Sequence, residues 1–297
     1  MSTTTSKNFE IKRILIPYDF SETASLSLEH AVFMAKLLKA EIYLLHILET
    51  VSFTSAISAA FGSVDKKIET ESDKKLEEIA NSIHKNNGIT VHSRTEVGRI
   101  YKKIVDVSKK DNIDIIIMGT HGVSGYKKFN VGTNTSKVVE EAECPVISVQ
   151  THSKRIGFKK IVLPVDDTPS SRHKVNYALE IAKHYSSHIY VVGLINFSNE
   201  DNKRKFRIKV DQVEEWLSKH EVSCETKMVE GDNLAKMTMA VAEELDADLT
   251  VIMTEQEPSL TGLFLGTYAT QVVNHSKIPV MAVHPMESDA STITVGY

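Results

Sequence analysis

Ile14-Leu15-Ile16-Pro17-Tyr18-Asp19 returns 147 residues later as Ile161-Val162-Leu163-Pro164-Val165-Asp166. A short apolar run that stops at proline and then a carboxylate reads as a buried strand ending in a turn. The same offset carries Ala31, Ala35 and Lys36 onto Ala178, Ala182 and Lys183, and Ile42-Tyr43 onto Ile189-Tyr190. Further on, Ile115–Met118 resembles Thr250–Met253, and Cys144-Pro145-Val146 resembles Ile278-Pro279-Val280. A collinear repeat of this length is a whole domain, not a solenoid unit. With 297 residues, two domains is also the expectation from length. The boundaries read from the sequence are 8–150 and 158–286, with residues 151–157 as linker and a polar tail after Pro285.

Within the first repeat, strands are expected at residues 13–17, 41–48, 90–96, 113–118 and 146–149. Helices are expected at 21–39, 65–86, 100–110 and 135–143. Ser21 is the candidate N-cap of the first helix, whose stripe of Ala24, Leu28, Ala31, Ala35 and Leu38 faces inward. Residues 52–63, rich in Ser and Ala, read as a loop packed on its own domain. β-Branched runs separated by helices argue for a parallel sheet covered on both faces. The fold class is therefore α/β: two tandem Rossmann-like or flavodoxin-like domains, each a mostly parallel five-stranded sheet flanked by helices. The second repeat follows the same order, its last strand near residues 280–284. An exposed apolar edge is a liability that pairing removes. The closing runs Val146–Val149 and Val280–Val283 suit such pairing.

Composition narrows the partners. Basic and acidic residues number 35 and 39, and residues 1–150 hold 19 of each. Neither half is a basic domain, which argues against nucleic acid as a main partner. The polar start lacks the apolar core of a signal peptide, and no apolar run approaches the ~20 residues of a membrane helix. Two cysteines, Cys144 and Cys224, build no disulfide framework and suit a reducing compartment. The expectation is a cytoplasmic protein without a membrane partner.

In open parallel sheets, ligands bind beyond the carboxyl ends of the strands. After the fourth strand come Met118-Gly119-Thr120-His121-Gly122 and, ten residues beyond, Gly132-Thr133-Asn134-Thr135. Glycines let the backbone approach a ligand, and the helix after Gly132 offers unpaired N–H groups to an anion. Thr133 and Thr135 add hydroxyls, His121 sits inside the turn, and Lys127 and Lys128 lie in the loop. The spacing is neither a P-loop nor G-x-G-x-x-G. From the loop alone, phosphate binding and a plain glycine-rich connection both stand. The same holds for Asp19, which can cap its turn or meet a ligand.

The chain resembles the universal stress protein family. Four features carry the resemblance: Ile16-Pro17-Tyr18-Asp19, the Met118–Gly122 turn, Gly132-Thr133, and Glu143-Cys144-Pro145-Val146. In that family G-x2-G-x9-G-[ST] looks like the signature of ATP-binding members. The resemblance implies an ATP site, with or without Mg2+, in the first repeat. Gly119, Gly122, Gly132 and Thr133 would hold phosphates and ribose, joined by His121, Asn134 and Thr135. Asp19 would stand at the nucleoside end with Pro17 beside it, and the backbone at Ile47 would meet adenine. Asn134 and Val123 depart from the family pattern, where a small apolar residue and an arginine are usual. The family's dimers imply that the two repeats form an intrachain pseudo-dimer, with a homodimer as a further assembly.

Read from sequence, the second loop from Met253 to Gly266 is one residue shorter than that from Met118 to Gly132, and it sets Thr254 against Gly119. It keeps Gly266-Thr267 but gains Glu255 and Glu257, which would repel a triphosphate. The second repeat is therefore expected not to bind ATP in the same way. His184 and His188 share a helical spacing, without further ligands to make a metal site. No nucleophile–base arrangement emerges, and Cys144, His46 and Trp216 read as packing. The expected function is ATP binding in a stress-response regulatory or sensing role. The alternatives are a slow ATPase or phosphotransferase and a nucleotide-free interaction module.

Overall fold

A computed structural model describes residues 9–49, 55–120, 132–151, 153, 155–254 and 265–285, with the side chains of 55–65 and Pro169 excepted. The first repeat runs β1 (Arg13–Pro17), α1 (Glu22–Leu38), β2 (Glu41–Leu48), α2 (Ser55–Asn87), β3 (Val91–Val97), α3 (Ile100–Lys110), β4 (Ile115–Gly119), α4 (Thr133–Glu141) and β5 (Val146–Val149). The second runs β6 (Lys160–Val165), a 3-10 turn (Pro169–Arg172), α5 (Val175–Tyr185), β7 (His188–Ile195), α6 (Glu200–Lys219), β8 (Ser223–Glu230), α7 (Leu234–Glu244), β9 (Leu249–Met253), α8 (Thr267–His275) and β10 (Val280–Val283). No described helix is long and apolar enough to cross a membrane.

The ten strands form one sheet in the order β3-β2-β1-β4-β5-β10-β9-β6-β7-β8. Every pairing within a repeat is parallel. The repeats join through one antiparallel pair, β5 with β10, where Val280 faces Ser148 and Ala282 faces Val146. Both closing strands are wholly buried.

Strand alternation sorts the core into two layers. Ile14, Ile16, Ile115, Ile117 and Ile147 face α1, α2, α5 and α6. Leu15, Ile116, Met118 and Val146 face α3, α4 and α8. Period-2 side-chain geometry makes this division automatic once a run is apolar on both faces.

Paired devices recur in the two repeats. Asp114 Oδ2 accepts the amides of Lys12 and Arg13, both at 2.8 Å. Asp248 Oδ2 accepts those of Lys159 and Lys160, at 3.0 and 2.9 Å. Lys39 and Ser186, 147 residues apart, both adopt the left-handed conformation that closes α1 and α5.

Two sequence expectations need correction. Residues 55–64 are not loop but the first turns of α2. Ala56, Ala59 and Ala60 are strong helix formers, and a lone Gly62 costs only ~1 kcal/mol against a helix already propagating from the charged segment. Residues 51–54 lie outside the description. Helix α4 occupies Thr133–Glu141 rather than 135–143, because it starts directly on Gly132. At its far end, Pro145 pushes the residue before it out of helical geometry.

Candidate functional site

Strand β1 lies between β2 and β4, so successive connections leave it toward opposite sides. This is the point where open α/β sheets form a crevice beyond their carboxyl ends. The turn Pro17–Ser21 makes one wall. Tyr18 donates its amide to Leu45 O at 2.7 Å, extending the β1–β2 ladder by one residue. Asp19 Oδ1 accepts the amide of Ser21 at 3.1 Å, and Ser21 Oγ then accepts that of Ala24 at 3.2 Å to cap α1. Asp19 therefore braces the turn, as the capping reading requires. Half-buried Pro17 ends β1.

Phe20 was not singled out in the sequence. Its φ of 63° is a left-handed conformation that costs a bulky residue on the order of 1–3 kcal/mol. Its ring is held by Tyr18 at 5.3 Å and by His46 at 4.9 Å, with the Lys75 ammonium 5.9 Å from its centre. His46 Nδ1 lies 2.8 Å from Tyr18 O. A carbonyl only accepts, so Nδ1 carries the proton. His46 thus makes a specific bond to the turn as well as packing. Nothing in the period of β2 marks that bond. Ile47 follows on β2, half-buried and paired with Glu96 of β3.

The opposite wall joins the end of β4 to the start of α4. Thr120 donates its amide to Val149 O at 3.0 Å and accepts the Gly132 amide at 2.8 Å. Buried Thr135 donates Oγ1–H to Gly119 O at 3.0 Å. The two ends of the 121–131 segment are thereby pinned together, while His121 and Gly122 lie outside the described residues. A Cβ on Gly119 would stand 2.8 Å from Thr23 Cβ, so glycine is demanded there by the first turn of α1. Gly132 has an ordinary extended φ of −58° and no side-chain cap; a Cβ on it would lie 3.2 Å from Thr120 O. By helix geometry the first-turn amides of α4 lack intrahelical acceptors and form a partial positive charge. Thr133 is exposed and Asn134 half-buried at that end. Lys137, one turn on, places its ammonium 4.5 Å from the Tyr101 ring centre.

Pro17, Asp19, Gly119, Gly132, Thr133, Asn134 and Thr135 thus lie together beyond the carboxyl ends of β1 and β4, with Ile47 at the end of the neighbouring strand. Among them Asp19, Gly119 and Thr135 have structural tasks that account for their identity.

The second repeat corrects the loop alignment. Strand pairing sets Ile14 against Ile115 and Ile161 against Leu249. Gly119 therefore corresponds to Met253, Thr120 to Thr254 and Gly122 to Gln256. Gly266 donates to Thr254 O at 3.0 Å as Gly132 does to Thr120 O. The two loops are equal in length, and no residue has been lost. Apolar runs such as Ile115–Met118 and Thr250–Met253 match in more than one register in sequence alone. Only ladder hydrogen bonds choose between them.

Residues 10–150 and 157–284 each match the Universal stress protein family. The chain belongs to the universal stress protein family. A universal stress protein of Methanocaldococcus jannaschii is 28% identical over 154 residues, covering 47% of this chain and 94% of the relative. Bacillus subtilis YxiE is 26% identical over 146 residues, covering 46% and 98%. Each such relative spans about one repeat. The crystal structure of a universal stress protein from Archaeoglobus fulgidus matches with a TM-score of 0.71 at 21% identity, covering 92% of this chain and 98% of that one. At that identity the likeness shows the fold, here with both repeats.

In this tandem universal stress protein the paired histidines have partners of their own. His184 Nε2 lies 2.9 Å from Glu180 Oε1, and His188 Nδ1 2.7 Å from Ser223 Oγ. Among the described residues no group of three or more His, Cys, Asp or Glu could hold a metal ion. Burial pushes the Cys144 thiol up to about 12, which keeps it protonated and unreactive.

Proposed function

We propose that the first repeat binds ATP in the crevice between β1 and β4, and that the protein is a cytoplasmic stress-response module whose surface a protein partner reads. The observation that carries this reading is the start of α4. It is a helix N-terminus without a side-chain cap, headed by glycine and pinned to the end of β4. Such an end is complementary to phosphate. Gly132, Thr133 and Asn134 would meet the phosphates, with His121 and Gly122 approaching from the loop. The turn at Pro17–Asp19 and the end of β2 at Ile47 would border the nucleoside. Any Mg2+ would arrive with the phosphates. Nucleotide would stabilise one arrangement of the surface around the site, and a partner would read that population.

The interaction-module reading is favoured by one observation: Asp19, Gly119 and Thr135 are explained by turn and packing bonds alone. Calorimetric titration of nucleotide-stripped protein with ATP, with and without Mg2+, separates the two. One site per chain, lost in Gly132→Val, supports the proposal. Absence of binding heat at several temperatures, together with no rise in melting temperature, assigns the protein to the interaction-module class. Steady ADP release abolished by the same substitution would move it to the slow ATPases.

A further inference from the structure

Where the first repeat has Gly119, the second has Met253, and the helix after the first strand of each repeat starts at a different place. In the first repeat Thr23, in the first turn of α1, sits against Gly119 so closely that a Cβ there would be 2.8 Å away. A methionine at that point excludes such an approach. The corresponding helix of the second repeat begins at Val175, the counterpart of Leu28, and a 3-10 turn at Pro169–Arg172 stands in place of its first turns. Lys174, the counterpart of Ser27, stands at the new helix start.

Its side chain turns inward. Lys174 is 3% exposed, and its Nζ donates to Ser171 O at 2.5 Å and to Ser171 Oγ at 3.2 Å. Ser171 Oγ in turn accepts the amide of Asp166 at 2.9 Å, at the end of β6. Burial brings the ammonium down to about 8, while the Asp166 charge pulls the other way. From α8, Tyr268 takes the place of Asn134, and its hydroxyl lies 3.1 Å from Thr238 Oγ1. Thr238 already donates to Leu234 O, so the phenol is the donor in that pair. Tyr268 is half-buried; its loss of solvent and the Asp166 charge raise the phenol's pKa, and the bond to Thr238 opposes them. Asp166 itself accepts from the amide of Thr168.

A buried ammonium is costly unless it is paired and hydrogen-bonded. Here Ser171 supplies hydrogen bonds without an outside molecule, and its hydroxyl also holds the amide of Asp166. We propose that Lys174 and Tyr268 fill the crevice of the second repeat from within, and that these two side chains exclude nucleotide from it. The cluster is a self-contained substitute for a ligand. It carries a cation and a donor phenol where the first repeat has Ser27 and Asn134, while the carboxylate of Asp166 has its counterpart in Asp19. This rests on the proposed ATP site of the first repeat only in using ATP as the probe.

Two measurements on the full chain test it. In the first, native protein is acetylated with acetic anhydride, with and without ATP, and the lysines are mapped by mass spectrometry. Amine acylation needs an accessible neutral nitrogen, so Lys174 should react at least about tenfold more slowly than a surface lysine. Lys219, 68% exposed, is a suitable reference, and ATP should leave the Lys174 rate unchanged. A Lys174 that reacts freely and is protected by ATP overturns the proposal. In the second, K174S/Y268N restores the first repeat's side chains, and calorimetry counts bound ATP. One additional site per chain relative to wild type is expected, with folding checked by far-UV circular dichroism. A folded double variant with no added site overturns the claim that these two residues exclude nucleotide. If wild type binds no ATP, the proposed function fails, yet the acetylation rate still decides whether the crevice is filled.

Discussion

His284 of the second repeat places Nε2 2.7 Å from Val139 O, near the C-terminal end of α4 in the first. Its other nitrogen lies 2.9 Å from Thr254 Oγ1, at the end of β9. Val139 O belongs to the last four carbonyls of α4, which have no partner within the helix. One repeat thus caps the helix whose other end heads the proposed phosphate site of its neighbour. His284→Ala is expected to lose about 1 kcal/mol of stability in urea unfolding. Amide exchange should quicken in the last turn of α4, and an unchanged exchange rate there would sink the capping role.

Gly119 and Gly132 are expected to separate packing from ligand binding. A methyl at Gly119 must push against Thr23 Cβ at 2.8 Å, whereas at Gly132 it meets Thr120 O at 3.2 Å. Gly119→Ala should cost on the order of 1–3 kcal/mol, as overpacking does, and Gly132→Ala less. ATP affinity, measured on the folded variants, should fall more for Gly132→Ala. The opposite order in stability would mean that the α1–β4 contact yields without strain.

Acid should weaken the joint between the repeats through His30. This ring on α1 is 2% exposed and stacks on Phe158, just ahead of β6, at 5.3 Å. Its Nε2 has no hydrogen-bond partner among the described residues. Burial lowers its pKa to about 4 from an ordinary 6.5. The unfolded chain therefore binds the proton more tightly. Stability conferred by the neutral ring is whole above pH 6.5 and declines as pH falls toward 4. The loss over that window is on the order of 3 kcal/mol. Denaturant midpoints from pH 7 to 4 should flatten in His30→Phe relative to wild type; parallel curves would refute the assignment.

Asp114 and Asp248 are expected to act as register locks of equal kind. Each carboxylate gathers two amides at the start of a neighbouring strand, and Asp248 also has Arg155 Nε at 3.1 Å. Three of the four amides are half-buried and that of Lys12 is exposed, and removing such a charged acceptor costs about 2 kcal/mol. Asp114→Ala should lower the melting temperature and Asp248→Ala should lower it further. Asp→Asn at either site, which keeps one acceptor oxygen, should recover part of the loss.

Much of this was legible in residue order because it depends on local pattern. Ile14–Pro17 and Glu41–Leu48 are apolar enough to be strands wherever they lie, and Ser21 is a cap because its hydroxyl reaches an amide three residues away. The closing runs 146–149 and 280–283 announced edges in need of pairing, and β5 with β10 satisfies that need. The start of α2 was less legible: a Ser/Ala-rich stretch has no amphipathic stripe, and its helicity follows from the segment it extends.

The sequence by itself determined the two-fold repeat and the parallel α/β class, since each follows from period and capping over short distances. Only the tertiary structure decided the register of β9, the reason for Gly119, the bond from His284 to Val139 and the inward turn of Lys174. These four depend on atoms brought together from positions tens of residues or more apart, or on where a helix starts. No local pattern records the close approach of Thr23 to Gly119, which only the packing of α1 on β4 creates.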